Sequence, residues 1–255
     1  MVERVASLLQ VTDMHLQQDP STLMREQLVE ERFQRVMSDI QAETADLLLL
    51  TGDLTHHAPA AYKRLSDRLR LLPFPSYWIP GNHDLIDEMA AYSLYGFNRK
   101  LIEKDQWRII LLDSSSEPDG QGSGALANDE LIFLEQALKE TSPDQYVLIA
   151  LHHHPVKVGS VWQDRIGLKN SQAFWHVVDR FPQVRGVMFG HVHQSFQTSR
   201  GHVMLFSSPA TAPQFKPQCV ESKIELDPRY SGPAYARYGL YSDGDIHADV
   251  VRLPA

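Results

Sequence analysis

Seven short runs rich in leucine and β-branched residues recur along the chain: VASLLQV (5–11), ADLLLL (45–50), SYWIP (76–80), WRIILLD (107–113), YVLIAL (146–151), VRGVMFG (184–190) and HVMLFSS (202–208). Between them, residues 27–43, 59–72 and 128–141 carry apolar side chains three and four apart, the spacing of amphipathic helices. Strands alternating with helices predict an α/β architecture. The segment 128–141 opens on Asn128, a candidate N-cap, with acidic residues in its first turn. Beyond residue 210 the helical spacing stops, and YARYGLYSDGDIHADVVRL predicts a C-terminal β-hairpin at about 234–253, turning near Ser242, Asp243 and Gly244. With no internal repeat and no long linker, residues 1–255 read as one domain, and 43% hydrophobic residues can fill its core.

The chemistry lies at the carboxyl ends of these runs. Thr12-Asp13-Met14-His15 comes after the first, Thr51-Gly52-Asp53 after the second, Gly81-Asn82-His83-Asp84 after the third, His152-His153-His154 after the fifth and Gly190-His191-Val192-His193 after the sixth. In open α/β sheets the carboxyl ends of the strands share one edge, where ligands bind. Singly, each cluster has a plain reading as a turn or a solvated loop. His-x-His on an extended segment places two imidazoles on one side, a compact ligand pair. Consecutive strand side chains point to opposite faces, so three adjacent histidines cannot all serve one site, and alternation leaves His152 and His154 as candidates.

In that order, Asp13-x-His15, Gly52-Asp53, Gly81-Asn82-His83-Asp84, His152 and Gly190-His191-x-His193 resemble the signature of the calcineurin-like metallophosphoesterases. The resemblance implies a four-layer α-β-β-α sandwich of two mixed sheets flanked by helices, the metallo-dependent phosphatase fold, with a dinuclear metal centre at one edge. It implies that Asp13, His15 and His193 hold one metal, that Asn82, His152 and His191 hold the other, and that Asp53 bridges them. Aligned on the start of its motif, the family's ligand is His152. His153 is then a packed or hydrogen-bonded neighbour, and His154 either lines the substrate pocket or is an exposed imidazole. The implied place of His83 is beside the phosphate, as a catalytic donor to a phosphoryl oxygen or a departing alkoxide, with Asn82 also contacting substrate. Asp84 reads as a turn-stabilising residue. His56 and His57 either rim the site or are solvent-exposed loop residues. No motif reaches His176, His202 or His247.

Asp, Asn and His donors without Cys suit Fe, Mn, Zn, Co or Ni, with Fe and Mn expected first, and two such ions about 3.5–4 Å apart can clamp the oxygens of a phosphoryl transfer. Two divalent ions against two carboxylates supply a local positive charge to a chain of formal net charge −8. That acidity argues against a nucleic-acid partner. The single cysteine, Cys219, makes no internal disulfide and marks no thiolate cluster. The N-terminal residues read as a first strand, not a leader, no window reaches the ~20 apolar residues of a membrane span, and the expected setting is the cytoplasm.

Within the superfamily, LHHHPV, GHVHQ and PQFKPQC (213–219) resemble the bacterial class III cyclic AMP phosphodiesterases over nearly the whole chain. This implies hydrolysis of a 3',5'-cyclic nucleotide to the 5'-monophosphate by a dimetal-bridging hydroxide, with a small-molecule partner and a monomer or homodimer. Asn170 and Gln214-Phe215-Lys216 are candidates for the base pocket, Phe215 either stacking on a base or belonging to the core. The alternative is a related metallophosphoesterase acting on another phosphodiester, a pyrophosphate or a phosphomonoester.

Overall fold

In the computed structural model, which describes residues 2–255, each of the seven apolar runs forms a strand. In chain order the strands are β1 (Arg4–Val11), a small hairpin of β2 (Leu23–Met24) and β3 (Gln27–Leu28), β4 (Leu47–Thr51), β5 (Ser76–Ile79), β6 (Leu101–Lys104), β7 (Trp107–Leu111), β8 (Tyr146–Ala150), β9 (Val184–Phe189), β10 (Phe196–Arg200), β11 (Val203–Ser207), β12 (Ala234–Tyr241) and β13 (Ile246–Arg252). The helices are α1 (Val29–Ile40), α2 (Pro59–Leu69), α3 (Ile86–Ala90), α4 (Asn128–Lys139) and α5 (Ser171–Val178).

One sheet has the order β13-β12-β1-β4-β5 and the other β10-β11-β9-β8-β7-β6. Both are mixed: β1, β4 and β5 run parallel with antiparallel β12 and β13 beyond β1, and β7, β8, β9 and β11 run parallel with antiparallel β6 and β10 at the two edges. Strand alternation divides the apolar runs between two faces. From β1 and β4, Leu9, Val11, Leu48 and Leu50 pack outward with Phe33, Val36 and Met37 of α1 and Tyr62 and Leu65 of α2. Leu8, Leu47 and Leu49 point inward, where they share one core with Ile109, Leu111, Leu148, Ala150 and Met188 of the second sheet. Val147, Ile149 and Val187 cover that sheet's other face with Leu134, Leu138 and Phe174 of α4 and α5. The layers are therefore α-β-β-α, and a strand buried on both faces reads as a continuous apolar run. Removing an inter-sheet side chain, as in Leu148→Ala, costs about 2–5 kcal/mol.

Gln10 brings a polar side chain into that inner layer. Gln10 donates from Nε2 to Thr51 Oγ1 (2.8 Å) and to the Phe189 carbonyl (2.9 Å), and its Oε1 accepts from Tyr238 (2.7 Å), joining the two sheets beneath their carboxyl ends. The C-terminal hairpin forms as expected, β12 pairing with both β1 and β13. The cap of α4 differs from expectation: Asn128 is the first helical residue and the cap position is Ala127, with no side-chain cap hydrogen bond. No helix is long and apolar enough to cross a membrane among the described residues.

Candidate metal centre

The five polar segments converge where the two sheets meet. Their backbones are not extended: Asp13, His15, Asp53, His191 and His193 all have positive φ, between 49° and 71°. Each such non-glycine residue costs about 1–2 kcal/mol, which the surrounding structure must offset. Hydrogen bonds between segments hold the conformation. Asp13 N–H donates to Gly52 O (3.0 Å), His15 N–H to Asp53 O (2.9 Å), His83 N–H to Asp53 Oδ1 (2.9 Å) and His191 N–H to Asp13 Oδ2 (2.9 Å). Close approach is needed too. At Gly52 (φ 92°) a Cβ would lie 2.4 Å from His152 Nδ1, and at Gly190 one would lie 2.1 Å from Thr12 Oγ1. These conformations correct the two expectations drawn from strand alternation. His191 and His193 are not on one side of an extended segment, and β8 ends at Ala150, so the three histidines after it lie in a turn. His152, His153 and His154 all pack around His191, with ring centroids 5.0, 4.7 and 5.6 Å from it.

On one side, His193 Nε2 lies 3.3 Å from Asp13 Oδ1 and 3.1 Å from His15 Nε2. On the other, His152 Nε2 lies 3.3 Å from His191 Nδ1. Asp53 Oδ2 stands between them, 3.5 Å from His15 Nε2 and 3.4 Å from His152 Nε2. Donor atoms of Asp13, His15 and His193, and of Asp13, Asp53 and His152, fall within 4.8 Å of one another. The Oδ1 of Asn82 is buried without a hydrogen-bond partner. The second nitrogens of the imidazoles are anchored, His152 Nδ1 on Thr51 O (2.7 Å), His193 Nδ1 on Pro213 O (2.8 Å) and His15 Nδ1 on His56 Nδ1 (3.2 Å). A carbonyl acceptor fixes the proton on Nδ1 and leaves the Nε2 lone pair free.

The charges suit cations. Burial alone would raise the Asp13 and Asp53 carboxyls; His193 beside the first, and His152 and His15 beside the second, hold both below their ordinary value. Burial pushes His15 down to about 3 and His191 well below its ordinary value, so both are neutral bases. Burial also opposes charge on His152, but Asp53 outweighs it and raises that imidazole to about 9. Ionised carboxylates, the neutral imidazoles of His15 and His191, a His152 proton that a cation beside Asp53 can displace and an unsatisfied amide oxygen, with no thiolate, fit two borderline-hard divalent ions.

The neighbouring candidates fall into place around this core. His83 is partly exposed at its lip, with its Nδ1 3.2 Å from His57 Nε2. Asp84 braces the turn instead of the His83 ring: it accepts from the N–H groups of Gly81 (2.9 Å), Leu54 and Thr55 (both 3.0 Å) and from Tyr62 (2.8 Å). His153 is fixed by Ser114 Oγ at 2.8 Å. His154 is buried, stacks on His191 and lines a cavity of about 360 Å³ with Lys157, Arg165 and Lys169. Asn170 spends its amide on the backbone of Leu126, and buried Gln214 donates to carbonyls of Ala210 and Ala212, so neither is free for a base. Phe215 is buried against His193, with ring centroids 4.6 Å apart, while Lys216 is exposed. His176, His202 and His247 are exposed, and Cys219 is a free thiol. Arg32 gave no signal, because an arginine on an amphipathic helix reads as surface. It is buried and holds the carbonyls of Thr211 and Ala212, whose N–H groups brace Thr12 and Asp13.

Comparison with known proteins agrees. A model of the calcineurin-like phosphoesterase family matches residues 6–195. The chain is 35% identical to the 3',5'-cyclic adenosine monophosphate phosphodiesterase CpdA of Vibrio vulnificus, over 98% of this chain and 91% of that protein. It is 37% identical to the 3',5'-cyclic-nucleotide phosphodiesterase alr5338 of a Nostoc species, over 97% and 92%. Among solved structures, a dimetal phosphatase from Danio rerio shares the fold, with a TM-score of 0.69 at 14% identity over 98% of this chain and 99% of that one. This chain belongs to the calcineurin-like phosphoesterase family.

Proposed function

We propose that the chain hydrolyses 3',5'-cyclic AMP, or a close cyclic nucleotide, to the 5'-monophosphate. The clustering of Asp13, His15, Asp53, His152, His191 and His193, beside a turn that carries His83 and the unpartnered Oδ1 of Asn82, supports this reading. The names of the two relatives, similar over almost the whole chain, support the substrate class. Asp13, His15 and His193 would hold one ion, Asn82, His152 and His191 the other, and Asp53 both. Fe or Mn is favoured, with Zn, Co and Ni also matched by these donors. Bound divalent ions supply Lewis acidity and lower the pKa of water toward about 7.

The chain's own groups do the rest. Asn82 and His83 meet the phosphoryl oxygens. Bonding of a water oxygen to phosphorus breaks the bond to the 3' oxygen; one proton of that water is released to solvent, and His83 gives the departing oxygen its proton and is reprotonated from solvent. Asp53 Oδ1 holds the His83 backbone in place. His154, a further candidate for substrate binding, would act through His191, on which its buried ring stacks. The chain works as one domain, monomeric or as a homodimer, in the cytoplasm.

The test is hydrolysis of 3',5'-cyclic AMP by protein loaded with Mn or Fe, beside a chelated control and bis-p-nitrophenyl phosphate. Metal-dependent release of 5'-AMP is the expected result. Cleavage of the artificial diester alone would keep the two-metal centre and move the substrate to another phosphodiester, a pyrophosphate or a phosphomonoester, since the fold hosts many of these.

A further inference from the structure

Two adjacent histidines outside the family-like ligand set touch the site. His56 Nδ1 lies 3.2 Å from His15 Nδ1, and the His56 ring stacks on His83 with centroids 4.4 Å apart and planes 21° apart. His57 Nε2 lies 3.2 Å from His83 Nδ1. The backbone fixes both: His56 N–H donates to Leu16 O and His57 N–H to His83 O, each at 2.9 Å. His57 takes a positive φ of 52°, a conformation held only where surroundings over-determine it. The segment after Asp53 is thereby tied to the two neighbouring segments that carry His15 and His83.

We infer that His56 and His57 are positioning residues, His56 orienting His15 toward its metal ion and His57 orienting His83 toward the phosphate. The inference rests on the two-metal phosphodiesterase reading above. With His15 Nε2 turned toward Asp53 and His193, its ring proton sits on Nδ1 and is donated to His56 Nδ1, which leaves His56 protonated on Nε2. The anchored imidazoles His152 and His193 give their Nδ1 protons to backbone carbonyls, whereas His15 depends on a side chain that substitution can remove. Across the stack, His83 has its Nδ1 engaged by His57 and its ring face covered by His56, so Nε2 is the nitrogen presented outward. Loss of such a partner of a metal-binding imidazole characteristically weakens metal affinity or activity about 10- to 100-fold.

The experiment compares full-length wild type with His56→Ala, His56→Asn, His57→Ala and His57→Gln. Each is stripped of metal and titrated with Co(II), following the visible spectrum and the bound stoichiometry, and is then loaded with Mn for steady-state kinetics on bis-p-nitrophenyl phosphate. Melting of the metal-free proteins identifies any variant that fails to fold. His56→Ala is expected to weaken one of two Co(II) sites about 10- to 100-fold, and His56→Asn, whose Oδ1 can replace Nδ1 as acceptor, to recover most of it. His57→Ala is expected to keep both sites and lower kcat about tenfold with KM little changed, and His57→Gln to restore it. A folded His56→Ala with wild-type affinity at both sites would overturn the role of His56. An unchanged kcat, or a loss confined to KM, would overturn that of His57. Three Co(II) per wild-type chain, falling to two in His56→Ala, would make the cluster an ion site and overturn the inference. Cobalt binding needs no nucleotide, so failure of the cyclic AMP reading leaves this test intact.

Discussion

Around Asp13, His15 and His193, each side chain already meets another of the group or a fixed acceptor: carboxylate against imidazole, imidazole against imidazole, Nδ1 against Pro213 O or His56. Around Asn82, His152 and His191, the amide oxygen of Asn82 and the Nε2 of His191 are buried without partners among the described residues. The first half is held by its own contacts. The second leaves polar atoms whose desolvation costs about 1–3 kcal/mol each, and of these Asn82 Oδ1 is the one an ion held by the His191 Nδ1 edge could pair with. The halves should therefore respond unequally to loss of metal, with Asp53 as the one side chain whose removal cannot be confined to either.

The largest expected effect comes from that shared carboxylate. Asp53→Ala should lose both ions and reduce hydrolysis to the chelated background, as read by metal analysis and product formation together; retention of one tightly bound ion would show that the halves do not share this side chain. His83→Ala comes next: kcat should fall by about 10²–10⁴-fold, the usual contribution of a general acid, while metal content stays that of wild type. His191→Ala should cost one ion and leave the Asp13 side loaded, separating the halves directly. Chelation of the wild type should lower the melting midpoint by about 10–20 °C when each of the two ions had been present at about 100 times its Kd. Hydrogen exchange should then loosen the segments carrying Asn82 and His191 more than those carrying Asp13 and His15. The smallest effect is a pH dependence. In metal-free protein the His152 imidazole titrates at about 9, above its ordinary 6.5, so the stability that it draws from Asp53 is full below pH 6.5 and lost as pH rises through 9. An ion that has displaced this proton removes the effect, so the melting midpoints of metal-free and loaded protein should diverge across that window.

The same contrast marks what the sequence could tell. Burial on both faces makes continuous apolar runs, and these became the inner strands β1, β4, β7, β8, β9 and β11 and the edge strand β5. The edge strands β6 (LIEK) and β10 (FQTSR) escaped, since an exposed edge keeps polar residues and carries no such run. Helix α5 escaped as well, its apolar SQAFWHVV lacking a clear polar stripe. In the site, ligand-type residues stood out by their place after each strand. Their backbones did not, because left-handed φ at Asp13 or His193 is imposed by hydrogen bonds to distant segments. Hence alternation misplaced the histidine triplet, while His56 and His57, legible as loop residues near the rim, gave no sign of which imidazoles they would meet.

Gln10 carries a consequence for mechanics. Asp13 and Asp53 hang from one sheet, and His152, His191 and His193 from the other, so the spacing between donor groups is a distance between two plates. The side chain of Gln10, bonded to Thr51 in its own sheet and to Phe189 in the opposite one, is a rivet placed next to that gap. Sliding of one plate over the other reads out at the site as a change in inter-donor spacing, and the rivet sets how stiff that readout is.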